Sequence, residues 1–194
     1  MKVFLTALLL GTGLVISCKQ NAPAPPPPSE AEQSEVRQAG HAVADKLVQT
    51  LGGQLKAALE SGGPVAAVTV CQSAAQPLTS SVTAGTPGTT VRRTALKVRN
   101  PANAADATDL EVLMEFAKLP PNQGPAEIIR WTENTARFYK PLVTQEVCTK
   151  CHGDPAGFSP ELRELLDTAY PDDQATGYAP GDLRGVIRVD VQRR

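Results

Sequence analysis

Nine residues near the start of the chain, Asn21 to Ser29 (NAPAPPPPS), decide where a fold can begin. Each proline lacks a backbone N–H and fixes its own φ, so the run joins neither a helix interior nor a sheet ladder and favours extended polyproline II. It reads as a spacer, and folded structure is expected from Glu30 onward.

The residues before the spacer have another character. Met1-Lys2 opens an apolar run from Val3 to Ile16, with the charged start of an export signal and a core too short to span a bilayer comfortably. The run closes in Val15-Ile16-Ser17-Cys18, which resembles the lipobox of bacterial lipoproteins. Residues 1–17 are therefore expected to be a signal peptide, Cys18 a lipidated first residue, 18–29 a tether and 30–194 the folded domain. By analogy with that class, Lys19 after the cysteine points to the periplasm, with the lipid in the outer membrane.

A chain of 194 residues allows one domain plus these appendages. Lys and Arg total 19 against 20 Asp and Glu, a net charge of -1, so there is no basic surplus to hold nucleic acid. Residues 30–61 place Val36, Gly40, Val43, Leu47, Leu51, Leu55 and Leu59 at steps of three and four, which predicts an amphipathic helix. A second helix is expected after Gly62-Gly63-Pro64, with Val68, Cys71, Ala75 and Leu78 inward until Pro77 interrupts it.

Thr89 to Val98 reads as a strand between turns. A helix over Asp106 to Leu119 should turn Leu110, Leu113, Met114 and Ala117 inward. Glu127–Thr132 and Thr135–Val143 suggest a hairpin across Glu133-Asn134, with Lys140-Pro141 weakening its far end. Ser159 should cap a short helix, and Leu183–Val191 should form a last strand. The sum is α+β: an antiparallel sheet of four to five strands, helices on one side and a long N-terminal helix.

Four cysteines and two histidines are few enough to assign singly. Cys148-Thr149-Lys150-Cys151-His152 is the C-x-x-C-H pattern of c-type haem attachment. Two thiols three positions apart on one turn reach the two vinyl groups of a porphyrin, and the adjacent histidine is held beneath the iron. A zinc site would need further ligands, which the chain offers only at the distant Cys71 and His41. A thioredoxin-like pair would need an alternating βαβ setting, absent here, and a Cys148–Cys151 disulfide is the remaining non-haem reading. One covalent haem c is expected.

For the opposite axial position the candidates are Cys71, Met114 and His41. Cys71 is the cysteine left over, Met114 sits at core spacing, and His41 lies between Gly40 and Ala42 on the first helix. Alternation along the basic strand puts Arg93, Lys97 and Arg99 on one side, available to haem propionates; a solvated face is the alternative.

Four stretches in order carry a resemblance to a known family: Ala67-Val68-Thr69-Val70-Cys71, RRTALKVRNPANAAD from Arg92, VCTKCHGDP from Val147 and YPDDQATGYAPGDLRGVIRV from Tyr170. Together they resemble the Tll-type exported mono-haem domains, a domain of unknown function with a PAS-like fold. The resemblance covers the chain from about Glu35 to its C-terminus. It implies that the iron is bound by the histidine of the attachment motif and by a cysteine on the early helix, here His152 and Cys71. The expected functions are a haem-based redox or small-ligand sensor and a membrane-tethered electron-transfer cytochrome. A haem enzyme is the weakest reading, since no distal His/Arg pair can be picked out. Nothing after the signal reads as a kinase, a cyclase or a membrane span, so any output is expected to pass through a redox or signalling partner protein.

Overall fold

The computed structural model describes residues 27–119, 124 and 126–193; the expected signal peptide, Cys18 and most of the tether lie outside them. Helical structure starts where the prolines stop. The Ser29 hydroxyl accepts a hydrogen bond from the Glu32 N–H at 3.2 Å and caps helix α1, Glu30–Ala84, which carries Glu30 and Glu32 in its first turn. The helix bends at Gly62 and Gly63, whose backbone is not helical. Gly63 takes the left-handed φ of 66°, open to glycine, and Pro64 disfavours a helical residue before it. Two arms result, 30–61 and 64–84, as the spacing predicts. Pro77 does not end the second arm, which runs on to Ala84; the carbonyl it leaves unpaired is at an exposed position where water can meet it.

Four strands, β1 (Thr89–Thr94), β2 (Ile128–Trp131), β3 (Thr135–Val143) and β4 (Leu183–Gln192), form one antiparallel sheet in the order β1-β4-β3-β2. The hairpin across Glu133-Asn134 is present, its turn closed by the Thr132 N–H on the Thr135 carbonyl at 2.8 Å. β3 does not weaken at Lys140-Pro141. Its β2 partner pairs only as far as Tyr139, so beyond that point one edge of β3 carries no ladder and a proline is tolerated. β1 stops at Thr94, four residues short of the expected end.

The sheet is covered on both faces. Against one face lie both arms of α1, with Val43, Ala44, Leu47 and Val82 packed on Val91, Phe138, Ile187 and Val189. Against the other lies α2, Ala107–Ala117, whose Val112, Leu113 and Phe116 meet Ile128, Tyr139 and Val186. The expectation of helices on one side therefore fails for α2. As the central strand, β4 is buried from Gly185 through Val189, where alternation with polar partners was expected. In α2 the inward stripe is Asp109, Val112, Leu113 and Phe116, while Leu110, Met114 and Ala117 are exposed. Asp109 rotates the stripe by one residue, because it accepts hydrogen bonds from the Tyr139 hydroxyl and from Arg188 beneath the helix.

Candidate functional site

Between β3 and β4 the chain leaves the sheet at Thr144 and returns at Asp182. The excursion is pinched at its base, where the Thr144 N–H donates to the Asp182 carbonyl and the Gly181 N–H to the Thr144 carbonyl, each at 2.8 Å. Inside it a 3-10 turn, Glu146–Cys148, runs into the single helical turn α3, Thr149–His152. Gly153 ends the turn. A Cβ there would meet the Thr149 carbonyl oxygen at 2.6 Å, so only glycine lets the backbone close this tightly. Helix α4, Pro160–Ala169, follows from its Ser159 cap, which accepts from the Leu162 N–H at 3.2 Å as the sequence predicts.

His152 is held in one tautomer. Its Nδ1 lies 2.7 Å from the Ala175 carbonyl oxygen, which can only accept, so Nδ1 carries the proton and Nε2 keeps a free lone pair. Burial first, then Arg184 and Arg99, push its pKa down to about 3, and the imidazole is neutral near pH 7. Neutral with one nitrogen free is the form in which histidine ligates a metal.

The sulfur atoms gather around the same turn. Cys148 accepts from the Gln145 N–H at 3.4 Å, and Cys151, like Tyr170, packs against a cluster of Val68, Phe158, Leu162 and Leu166. Val68 lies on the second arm of α1, three residues before Cys71. Cys71 does not face the interior as expected; it is exposed. Surrounding protein still pushes its thiol up, while Arg93 and Arg99 pull it down, and its charge is felt in turn by Cys151 and Tyr170. Cys71 is thus an exposed thiol within electrostatic reach of Cys151. All three described cysteines are free thiols.

The basic residues take different partners. β1 ends at Thr94, so Lys97 and Arg99 lie beyond the strand, while Arg93 and Arg99 both act on Cys71. Lys97 Nζ donates to the Thr176 carbonyl, and Arg99 pairs with Asp173 at 2.8 Å and donates to the Cys151 carbonyl at 2.6 Å. Arg93 and Cys71 act on each other electrostatically, and among the described residues the buried Nε of Arg93 has no hydrogen-bond partner. Met114 and His41 take no part among the described residues. Met114 is exposed on α2, and His41 Nε2 sits 3.1 Å from Glu127 with its ring edge-on to Phe138.

Five residues were given no role in the sequence reading: Tyr170, Asp173, Ala175, Tyr178 and Arg184. All lie in or beside the stretch that begins at Tyr170, which sequence marks as a motif without saying what it touches. One signal was available there. Asp173 accepts from the Ala175 N–H at 2.8 Å, a turn that an Asp two residues ahead of a small residue favours. Tyr178 lies edge-on to His152 at 6.4 Å between ring centroids, with Lys97 and Arg184 at 4.6 and 5.3 Å from its own ring.

Two thiols and a neutral imidazole on one turn, a further exposed thiol within electrostatic reach, an apolar wall and a guanidinium nitrogen with no partner among the described residues suit one kind of guest. It would be flat and largely apolar, with thiol-reactive points, an anionic edge and a metal centre. Fold and site together define an α+β domain built to present a C-x-x-C-H turn from a sheet excursion. The sequence profile of the Tll0287-like family matches residues 28–192, and the chain belongs to that family. Among solved structures it is similar to one described as the crystal structure of the cyanobacterial heme-protein Tll0287. The likeness has a TM-score of 0.60 and 23% sequence identity, over 86% of this chain and 98% of that one. No curated protein matches the chain.

Proposed function

We propose that this chain is an exported, lipid-anchored protein that carries one covalent haem c and works in redox chemistry, as an electron carrier or as a redox or small-ligand sensor. The observation that carries the reading is His152, next to Cys151 in a C-x-x-C-H turn, with its Nδ1 proton committed to the Ala175 carbonyl and Nε2 left free. Three further features fit the group. Val68, Phe158, Leu162 and Leu166 offer an apolar wall beside Cys151. Arg93 keeps a buried Nε without a partner, as a residue awaiting a propionate would. The solved relative in fold is described as a heme-protein.

In this reading Cys148 and Cys151 would hold the group through thioethers, and His152 and Cys71 would be the residues that ligate its iron. Haem held there would supply a one-electron couple and a place for a small ligand. The residues of the chain set the conditions. Arg93 and Arg99 favour the thiolate form of Cys71 against the burial that opposes it, and iron binding itself releases the thiol proton. Lipid on Cys18 tethers the domain through the proline spacer, and a separate protein exchanges electrons or receives the signal.

The test is expression of the full chain in a host that matures c-type haem. Denatured protein should retain the mass of one haem; a chain of apoprotein mass with its thiols free overturns the reading. Cys18→Ser should leave the membrane fraction. Ready displacement of a ligand by carbon monoxide in the reduced protein assigns sensing, and inertness with fast electron exchange assigns a carrier.

A further inference from the structure

The hydrogen bonds around His152 close on themselves. His152 gives its Nδ1 proton to the Ala175 carbonyl at 2.7 Å, and Asp173 Oδ1 accepts from the Ala175 N–H at 2.8 Å. Asp173 Oδ2 accepts from Arg99 Nε at 2.8 Å and forms an ion pair with Nη2 at 2.8 Å, and the same Nη2 donates its hydrogen bond to the Cys151 carbonyl at 2.6 Å. The path leaves the attachment turn at His152 and returns to it one residue earlier. Its charged members are nearly sealed, with the Arg99 side chain 10% and the Asp173 side chain 11% exposed. Backbone contacts hold the same loop down: Gly177 N–H to Gly153 carbonyl at 2.8 Å, Tyr178 N–H to His152 carbonyl at 2.9 Å, and Gln174 N–H to Val98 carbonyl at 3.0 Å.

A buried ion pair is not in itself a stabilising device, because desolvation offsets the attraction. What this pair adds is direction. One guanidinium bonded at once to the Asp173 carboxylate and to the Cys151 carbonyl allows little rotation, and the other carboxylate oxygen grips the Ala175 peptide. That peptide's carbonyl fixes the plane of the imidazole, and the strength of its hydrogen bond sets how basic Nε2 is.

We propose that Arg99 and Asp173 are positioning residues that hold the Ala175 carbonyl on His152 Nδ1 and so set the orientation and donor strength of the imidazole toward iron. The inference rests on the haem reading above. It also gives Arg99 a different task from the one expected of it: it braces the attachment turn, and Arg93 is left to meet a carboxylate.

The experiment compares wild type, Asp173→Ala, Asp173→Asn and Arg99→Lys as full chains from a haem-maturing host, with reduction potential, ferric electron paramagnetic resonance and thermal midpoint as readouts. Asp173→Ala should raise the potential and broaden the low-spin ferric signal, since a less basic and less fixed imidazole stabilises ferric iron less. Asp173→Asn keeps an oxygen for the Ala175 N–H and should shift both less. Arg99→Lys keeps the charge but cannot span Asp173 and the Cys151 carbonyl together, and should resemble the alanine variant. In the haem-free full chain, imidazole nitrogen NMR should show the Nδ1-protonated tautomer in wild type and a mixture in Asp173→Ala. Wild type without covalent haem would mean that the haem reading has failed, and this proposal with it. Haem present, with a lowered midpoint but wild-type potential and ferric signal in all three variants, would make the pair merely structural and overturn the proposal alone. If Asp173→Ala does not fold, the graded response of the other two variants decides.

Discussion

The Asp109 carboxylate and the Arg188 guanidinium meet at 3.1 Å between α2 and the sheet, with Asp109 fully buried and Arg188 nearly so. Asp109 also accepts from the Tyr139 hydroxyl at 2.9 Å, while Arg188 reaches Asp106 at 2.9 Å and Asp190 at 2.7 Å. Asp109→Ala would leave a buried cation and a buried hydroxyl each short of a partner. The expected loss is about 3–5 kcal/mol in urea unfolding. A loss no greater than the roughly 1 kcal/mol of a surface pair would show that Asp106 and Asp190 carry the arginine alone.

The same contact makes an alkaline prediction. Burial first, then the hydrogen bond to Asp109, hold the Tyr139 phenol well above the ordinary tyrosine range. An acid whose folded pKa is raised contributes stability that is whole below the unfolded value of about 10 and is lost as pH climbs beyond it. Ultraviolet titration should therefore find Tyr139 silent until the domain unfolds. Tyr139→Phe should remove no phenolate signal from the native part of the curve; if it does, the phenol ionises in the folded state.

Two kinds of glycine on α1 should respond in opposite directions. A Cβ on Gly40 would lie 2.3 Å from the Phe138 ring, so Gly40→Ala forces the first arm off β3 and should cost about 1–3 kcal/mol or more. At Gly52 and Gly53 nothing lies within 4 Å, and alanine at either should stabilise the helix by about 0.5–1 kcal/mol. Thermal midpoints of the three variants check the pattern, and a neutral Gly40→Ala would mean that the helix can lift without loss.

Replacing Cys71 by Met should change the ferric spectrum of the haem-loaded protein and raise its reduction potential, because a thiolate favours ferric iron and a thioether does not. An unchanged spectrum and potential would exclude Cys71 as a ligand.

How much of this was legible beforehand depends on how local the cause is. The hairpin at Glu133-Asn134, the Ser159 cap and the break at Gly62-Gly63-Pro64 each follow from a few adjacent residues and could be read directly. The register of α2 could not, because Leu110 and Met114 make as good an apolar stripe as Val112 and Phe116. What chooses between them is Arg188, 79 residues from Asp109. The C-x-x-C-H turn is plain in sequence, whereas its brace is not: Arg99 and Asp173 are 74 positions apart, and alternation along the basic stretch offers Arg99 to haem propionates or a solvated face, not to a carboxylate of the same chain. Helical spacing alone places Cys71 inward beside Val68 and Ala75, whereas the structure leaves it exposed, because spacing cannot tell where along a helix the covering elements stop.

β4 follows the C-x-x-C-H turn in sequence yet occupies the middle of the sheet, between β1 and β3. Without residues 183–192 the remaining strands are one hairpin and one unpaired segment, and both cores lack their central wall. The pairings of β1 with β4 join residues about a hundred positions apart, Thr89 with Val191 at one end and Thr94 with Val186 at the other, and long-range pairings of this kind are slow to close. Cys148 and Cys151 are thus in place along the chain before the strand that completes the sheet. In the haem reading, the order of the strands would act as a timer on attachment at the turn.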